Sequence, residues 1–121
     1  MKTKQDLKYL HLIEKIVEAS RDSKLEPELF AKIQTELNEL ATFFKITPNQ
    51  ALLVANIFSL NYKGDTVDTK DLSEYFDCTP VKILMYTPDI EVLLKKGLLL
   101  LNKSNHRLKL AFANNQYYLS E

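Results

Sequence analysis

Apolar positions recur at helical spacing through the first part of the chain. Leu7, Leu10, Leu12 or Ile13, Ile16 and Val17 mark one face of a helix over residues 5–19, with charged residues opposite. The segment "SRDSKLEPE" interrupts the pattern with small and charged residues. It resumes from Glu28 to Lys45, where Leu29, Phe30, Ile33, Leu37, Leu40, Ala41 and Phe44 form the stripe. In "TPNQALLVANIFSL", Thr47 suits a cap, Pro48 the first helical position, and Gln50 the third position after the cap. The residues that follow are apolar on almost every face, which predicts a central, enclosed helix ending near "NYKGD", where Gly64 supplies a turn.

Beyond that turn the elements shorten. "TVD" predicts a brief extended piece. "DTKDLSEYF" predicts a helix capped by Asp68 or Thr69, with Leu72, Tyr75 and Phe76 inward. "DCTP" is a tight turn in which Thr79-Pro80 repeats the cap signature. Helical pattern then runs towards Lys96, with Gly97 as the stop. Proline in a helix interior costs about 3 kcal/mol, so Thr87-Pro88 predicts a restart, with Thr87 as cap. The expectation is two short helices, 80–86 and 88–96, or one sharply kinked helix. Asp89 and Glu91 then fall at the start of the second piece and Lys95 and Lys96 at its end, both favourable for the helix dipole. "LLLLNKSNHRLKLAF" predicts a hairpin with a polar turn from Asn102 to Asn105 or His106 and alternating Leu108, Leu110 and Phe112.

Composition narrows the function classes. The 121 residues suffice for one domain with a real core, and 16 basic against 16 acidic residues do not favour a general nucleic-acid binder. The single cysteine, Cys78, rules out an internal disulfide and a thiolate zinc cluster. Only Gly64 and Gly97 are present, so the chain holds no glycine-rich phosphate loop. No secretory signal is visible and the apolar runs are too short to span a bilayer, which makes the cytoplasm the expected compartment. The aromatic "NNQYYLSE" end leads us to expect the opening piece of a longer protein.

"DLSEYFDCTPVKILMYTPDIEVLLKKGLLLLNKSNHRLKL" resembles the winged helix-turn-helix fold and looks like the core of MarR-type and related regulators. The resemblance covers residues 47–112 and is most specific at the "L.KKGLL" junction. The fold class it implies is mainly α: a winged-helix-like domain over residues 47–121, an N-terminal helical extension over residues 1–46 and a C-terminal β-hairpin wing. Together with "LNELATFFKITPNQALLVANIF", the same stretch is similar to the N-terminal region of certain bacterial AAA-type ATPases. That similarity implies a nucleotide site past Glu121, so ATP and magnesium belong to a longer parent and no cofactor to this chain.

Two functions follow from the resemblance. A DNA-binding regulator would place Thr79, Lys82, Ile83 and Tyr86 at the front of its reading helix and Lys103, His106, Arg107 and Lys109 on the wing. Lys95, Lys96, Lys103, Arg107 and Lys109, with no acid among residues 95–109, suit phosphates. Against this, the reading helix lacks Arg, Asn and Gln, the usual partners of base edges. The helix before it carries Asp68, Asp71, Glu74 and Asp77 near Asp65, offset by Lys70 alone. The other function is a non-catalytic accessory domain that docks on a protein or on its own downstream core. Tyr9, Tyr62, Tyr86, Tyr117, Tyr118 and Phe43 suit an interface, and the first helix suits its own domain or a second copy. His11 and His106 read as surface residues and Cys78 as structural, so no active site or metal site is expected within the chain.

Overall fold

The computed structural model describes residues 4–61, 66–102 and 107–110. Within them the chain is mainly helical. The helices are α1 (Lys4–Ser20), α2 (Pro27–Lys32), α3 (Gln34–Phe44), α4 (Pro48–Asn61), α5 (Thr69–Phe76), α6 (Pro80–Leu84) and α7 (Thr87–Lys95), followed by strands β1 (Leu99–Asn102) and β2 (Arg107–Leu110). The predicted polar turn, residues 103–106, and the segment from Phe112 onward lie outside the described residues, as do Gly64 and Tyr62.

Helix α4 is the hub. Every residue from Gln50 to Phe58 is buried, because α1, α3, α7 and β2 all pack on it. Its all-round apolar sequence is the pattern such enclosure requires. The stripe of α1 (Tyr9, Ile13, Ile16 and Val17) is buried in the same core as Leu37, Leu40, Leu52 and Leu93. One polar pair sits inside. Asn56 Nδ2 donates to Ser20 Oγ at 3.0 Å and to Leu52 O at 2.9 Å, while Ser20 Oγ donates to Ile16 O at 2.6 Å. These bonds offset much of the cost of burying an amide and a hydroxyl.

The predicted caps form. Thr47 Oγ1 accepts from Gln50 N at 3.2 Å, and Gln50 Oε1 accepts from Thr47 N at 3.1 Å. At α5 the alternatives resolve to Asp68, which exchanges the same two bonds with Asp71, at 2.9 and 3.1 Å. Gly97, with φ +78°, ends the helical run. The short extended piece is real: Val67 bridges Leu108 of β2, with both N–H···O distances 2.7 Å. β2 also pairs antiparallel with β1, in the register Leu99↔Leu110 to Asn102↔Arg107.

Three details differ from the expectations. The helix expected over 28–45 is displaced at Ile33, whose φ of −116° and ψ of 24° separate α2 from α3. Neither proline nor glycine stands there, and the bonds Ile33 N→Leu29 O and Leu37 N→Ile33 O keep the two pieces nearly continuous. The first piece ends two residues early, at Leu84, and the restart comes one residue early, because α7 already includes Thr87. Thr87 therefore does not cap. Tyr86 holds that position, and Thr87 Oγ1 donates back to Leu84 O at 2.6 Å, a carbonyl left free by the break. Tyr9 is not an interface candidate: it is buried, its ring 4.4 Å from Phe43 and 5.0 Å from Phe44 between centroids.

The loop after α1 is held far from its own sequence neighbourhood. Asp22, Lys24 and Leu25 are all left-handed, with φ of 57°, 61° and 55°. Such non-glycine residues cost about 1–3 kcal/mol each. The compensation comes from the end of α5: Asp22 N donates to Tyr75 O at 3.0 Å, Lys24 N to Phe76 O at 2.7 Å, and Leu25 is buried. Tyr75 Oη donates to Val17 O at 2.7 Å from the other side.

Candidate functional site

α6 has only five residues, and a helix that short has room for little inward surface. Ile83 is its fully buried anchor. The positions i, i+3 and i+4 around it, Val81, Leu84 and Met85, share the opposite face. They are 65 %, 56 % and 73 % exposed, the three most exposed large apolar residues among those described. Exposed single apolar residues are ordinary, whereas three on one turn of helix form a patch.

The cation of this helix is turned away from that patch. Lys82 Nζ donates to Lys24 O at 2.6 Å, and Lys24 Nζ pairs with Asp77 Oδ2 at 2.9 Å. The left-handed loop thus braces α6 against α5. Thr79 caps α6, accepting from Lys82 N at 3.4 Å. Tyr86 is half-buried, and burial, followed by the nearby Asp89 and Cys78, raises its phenol above the ordinary range. Cys78 is also partly buried, and that burial holds its thiol above the usual value, against the pull of Lys82. At neutral pH it is a thiol, consistent with a structural residue.

The other basic candidates are scattered. Lys95 is exposed at the end of α7. Lys96 Nζ donates to Lys45 O at 3.2 Å, tying the end of α7 to the end of α3. Arg107 and Lys109 stand on β2 opposite Asn102 and Leu100. Lys103 and His106 lie outside the described residues. The structure therefore brings Thr79, Lys82 and Tyr86 together around α6, with two of them engaged in hydrogen bonds, and places Lys95, Lys96, Arg107 and Lys109 on other elements. The stretch that contains α6 is acidic in sequence: residues 66–91 hold Asp68, Asp71, Glu74, Asp77, Asp89 and Glu91 against Lys70 and Lys82.

Grooves lie elsewhere on the described surface. An open groove of about 380 Å³ is lined by Leu10, Ile13, Glu14, Val17, Glu18, Phe58 and Ser59, and another of about 320 Å³ by Phe30, Ala31, Gln34, Leu37, Asn38 and Pro48. His11 is exposed, 3.9 Å from Glu14. Among the described residues no His, Cys, Asp and Glu cluster suits a metal ion, and no helix is long and apolar enough to cross a membrane.

The patch escaped sequence reasoning. The spacing of Val81, Leu84 and Met85 was visible, but in so short a helix it reads equally as core. Only the placement of Ile83 decides which face turns inward. Known proteins add no constraint: no family model, no curated protein and no solved structure matches the chain.

Proposed function

We propose that this chain is a non-catalytic, winged-helix-like interaction domain that docks on protein through the apolar face of α6. The observation that carries the reading is the exposure of Val81, Leu84 and Met85 on the helix that a winged-helix regulator would use to read bases. Nucleic-acid recognition wants cations and forked donors at that place. Here three apolar side chains occupy it, its lysine is bonded to a backbone carbonyl, and acids outnumber bases in the stretch that carries it. An apolar ridge at i, i+3 and i+4 suits insertion into a protein groove. The similarity to the front region of AAA-type ATPases supports the same reading. Such a domain works by contact, on a separate protein or on a downstream core that handles ATP and magnesium.

A photo-reactive phenylalanine analogue in place of Met85, compared with the same group in place of His11, tests the reading in the native cell. A discrete protein adduct at position 85 and none at position 11 is expected. Absence of any adduct at 85 counts against docking. Titration with random-sequence duplex DNA at low and physiological salt tests the alternative. Binding with a steep salt slope, lost when Lys103, Arg107 and Lys109 are changed to Glu, would put DNA reading ahead.

A further inference from the structure

The loop after α1 and the turn after α5 meet in one seam, and Lys24 pins it with three of its groups. Its N–H donates to Phe76 O at 2.7 Å, its ammonium pairs with Asp77 Oδ2 at 2.9 Å, and its carbonyl accepts from Lys82 Nζ at 2.6 Å. Asp22 N donates to Tyr75 O at 3.0 Å and Tyr75 Oη to Val17 O at 2.7 Å, with the Arg21 guanidinium 5.9 Å from the centre of the Tyr75 ring. Both sides of the seam are strained. Asp22, Lys24 and Leu25 are left-handed on one side, and Asp77, with φ of 60°, is left-handed on the other. Non-glycine residues keep that conformation only where their surroundings enforce it. Parting the seam lets all four relax, so the strain pushes towards opening.

The segment behind the seam is bounded at both ends. It starts after Val67, which is anchored to Leu108 of β2, and it ends at Tyr86, the residue that opens α7. Within it α5 and α6 pack chiefly on each other. Leu72, Phe76 and Ile83 are the fully buried side chains that seat it on the core. We infer that residues 68–86 open from the helical body as one unit, hinged at Val67 and Tyr86, with the Lys24 seam as a strained latch. Closed, α6 shows Val81, Leu84 and Met85. Open, Leu72, Phe76 and Ile83 also become accessible, so the latch sets how much apolar surface this region presents. Such sub-global units open at a lower free energy than the whole domain. Opening is a property of the free chain and needs no docking partner.

Native-state hydrogen exchange of the full chain, followed through low concentrations of denaturant, provides the test. The amides of Asp22 and Lys24 donate across the seam, and those of Leu72, Cys78 and Met85 donate within the segment. All five are expected to exchange in step, roughly tenfold or more less protected than the interior of α4, and with a weaker dependence on denaturant. Y75F removes the bond to Val17 O and is expected to lower their protection about two- to tenfold. D22G relieves left-handed strain and is expected to raise it severalfold. I33V trims the core at the junction of α2 and α3. It is expected to lower α4 protection about two- to tenfold and to leave the five amides unchanged, because the open form still contains that core. Equal protection and equal denaturant dependence in α4 and in the segment overturn the inference, since the domain then opens only as a whole. That outcome is read on the wild-type chain and does not depend on how a variant folds. Asp22 and Lys24 exchanging apart from the segment also overturn it, because the loop then frays alone. An I33V effect of the same size on both sets does the same, and unchanged protection in D22G overturns the strained latch.

Discussion

α4 and α6 are both apolar helices opened by a proline, and they do opposite things. α4 buries nine consecutive residues under four neighbouring elements, whereas α6 buries Ile83 and turns three side chains outward. The difference lies in what surrounds them. An apolar side chain adds to stability only where partners remove it from water. The hydrocarbon of α4 therefore holds the domain together, and that of α6 remains available for contact.

The sharpest way to break this comparison is to truncate both helices. Leu53→Ala in α4 is expected to lower stability by about 2–5 kcal/mol, while Met85→Ala on α6 stays within about 0.5 kcal/mol of wild type. Denaturant unfolding of the two variants checks both. Equal losses would mean that α6 is also core. Next in size is Asn56→Ala, which removes the bond to Ser20 and is expected to cost about 1–3 kcal/mol in the same assay. Asp68→Ala breaks the reciprocal cap of α5 and is expected to cost about 1 kcal/mol. Hydrogen exchange at the first turn of α5 should rise while that of α4 does not. The smallest effect concerns Cys78. Burial raises its folded pKa, so its contribution to stability is full below the unfolded thiol pKa and is lost as pH rises through the folded value. Alkylation at pH 8 should accordingly be slower than for a cysteine in a short peptide, and an equal or faster rate would contradict the burial.

Much of the frame was legible because it is encoded locally. Thr47, Pro48 and Gln50 mark a helix start within four residues, and Thr87-Pro88 forces a restart wherever it stands in a helix. The enclosure of α4 was legible because a sequence apolar on every face is stable only inside. What stayed hidden depends on distance. The bond from Lys82 to Lys24 O joins residues 58 positions apart, and nothing near either residue announces it. The burial of Tyr9 depends on Phe43 and Phe44 closing over it from α3. The displacement at Ile33 has no proline or glycine to signal it. The exposed face of α6 is the same problem at the smallest scale: one turn of helix has no periodicity from which to choose an inside.

The loop at residues 21–25 is specified early in the chain and closed late. Its left-handed residues are held by Tyr75, Phe76 and Asp77, and it in turn receives Lys82. A nascent chain leaving the ribosome therefore presents the end of α1 long before the segment that fixes it exists. The brace that sets α6 in position can form only once residue 82 has emerged. The exposed face of α6 is thus set in place by contacts that close over 58 positions of chain, and its orientation reports that the end of α1 has met the end of α5.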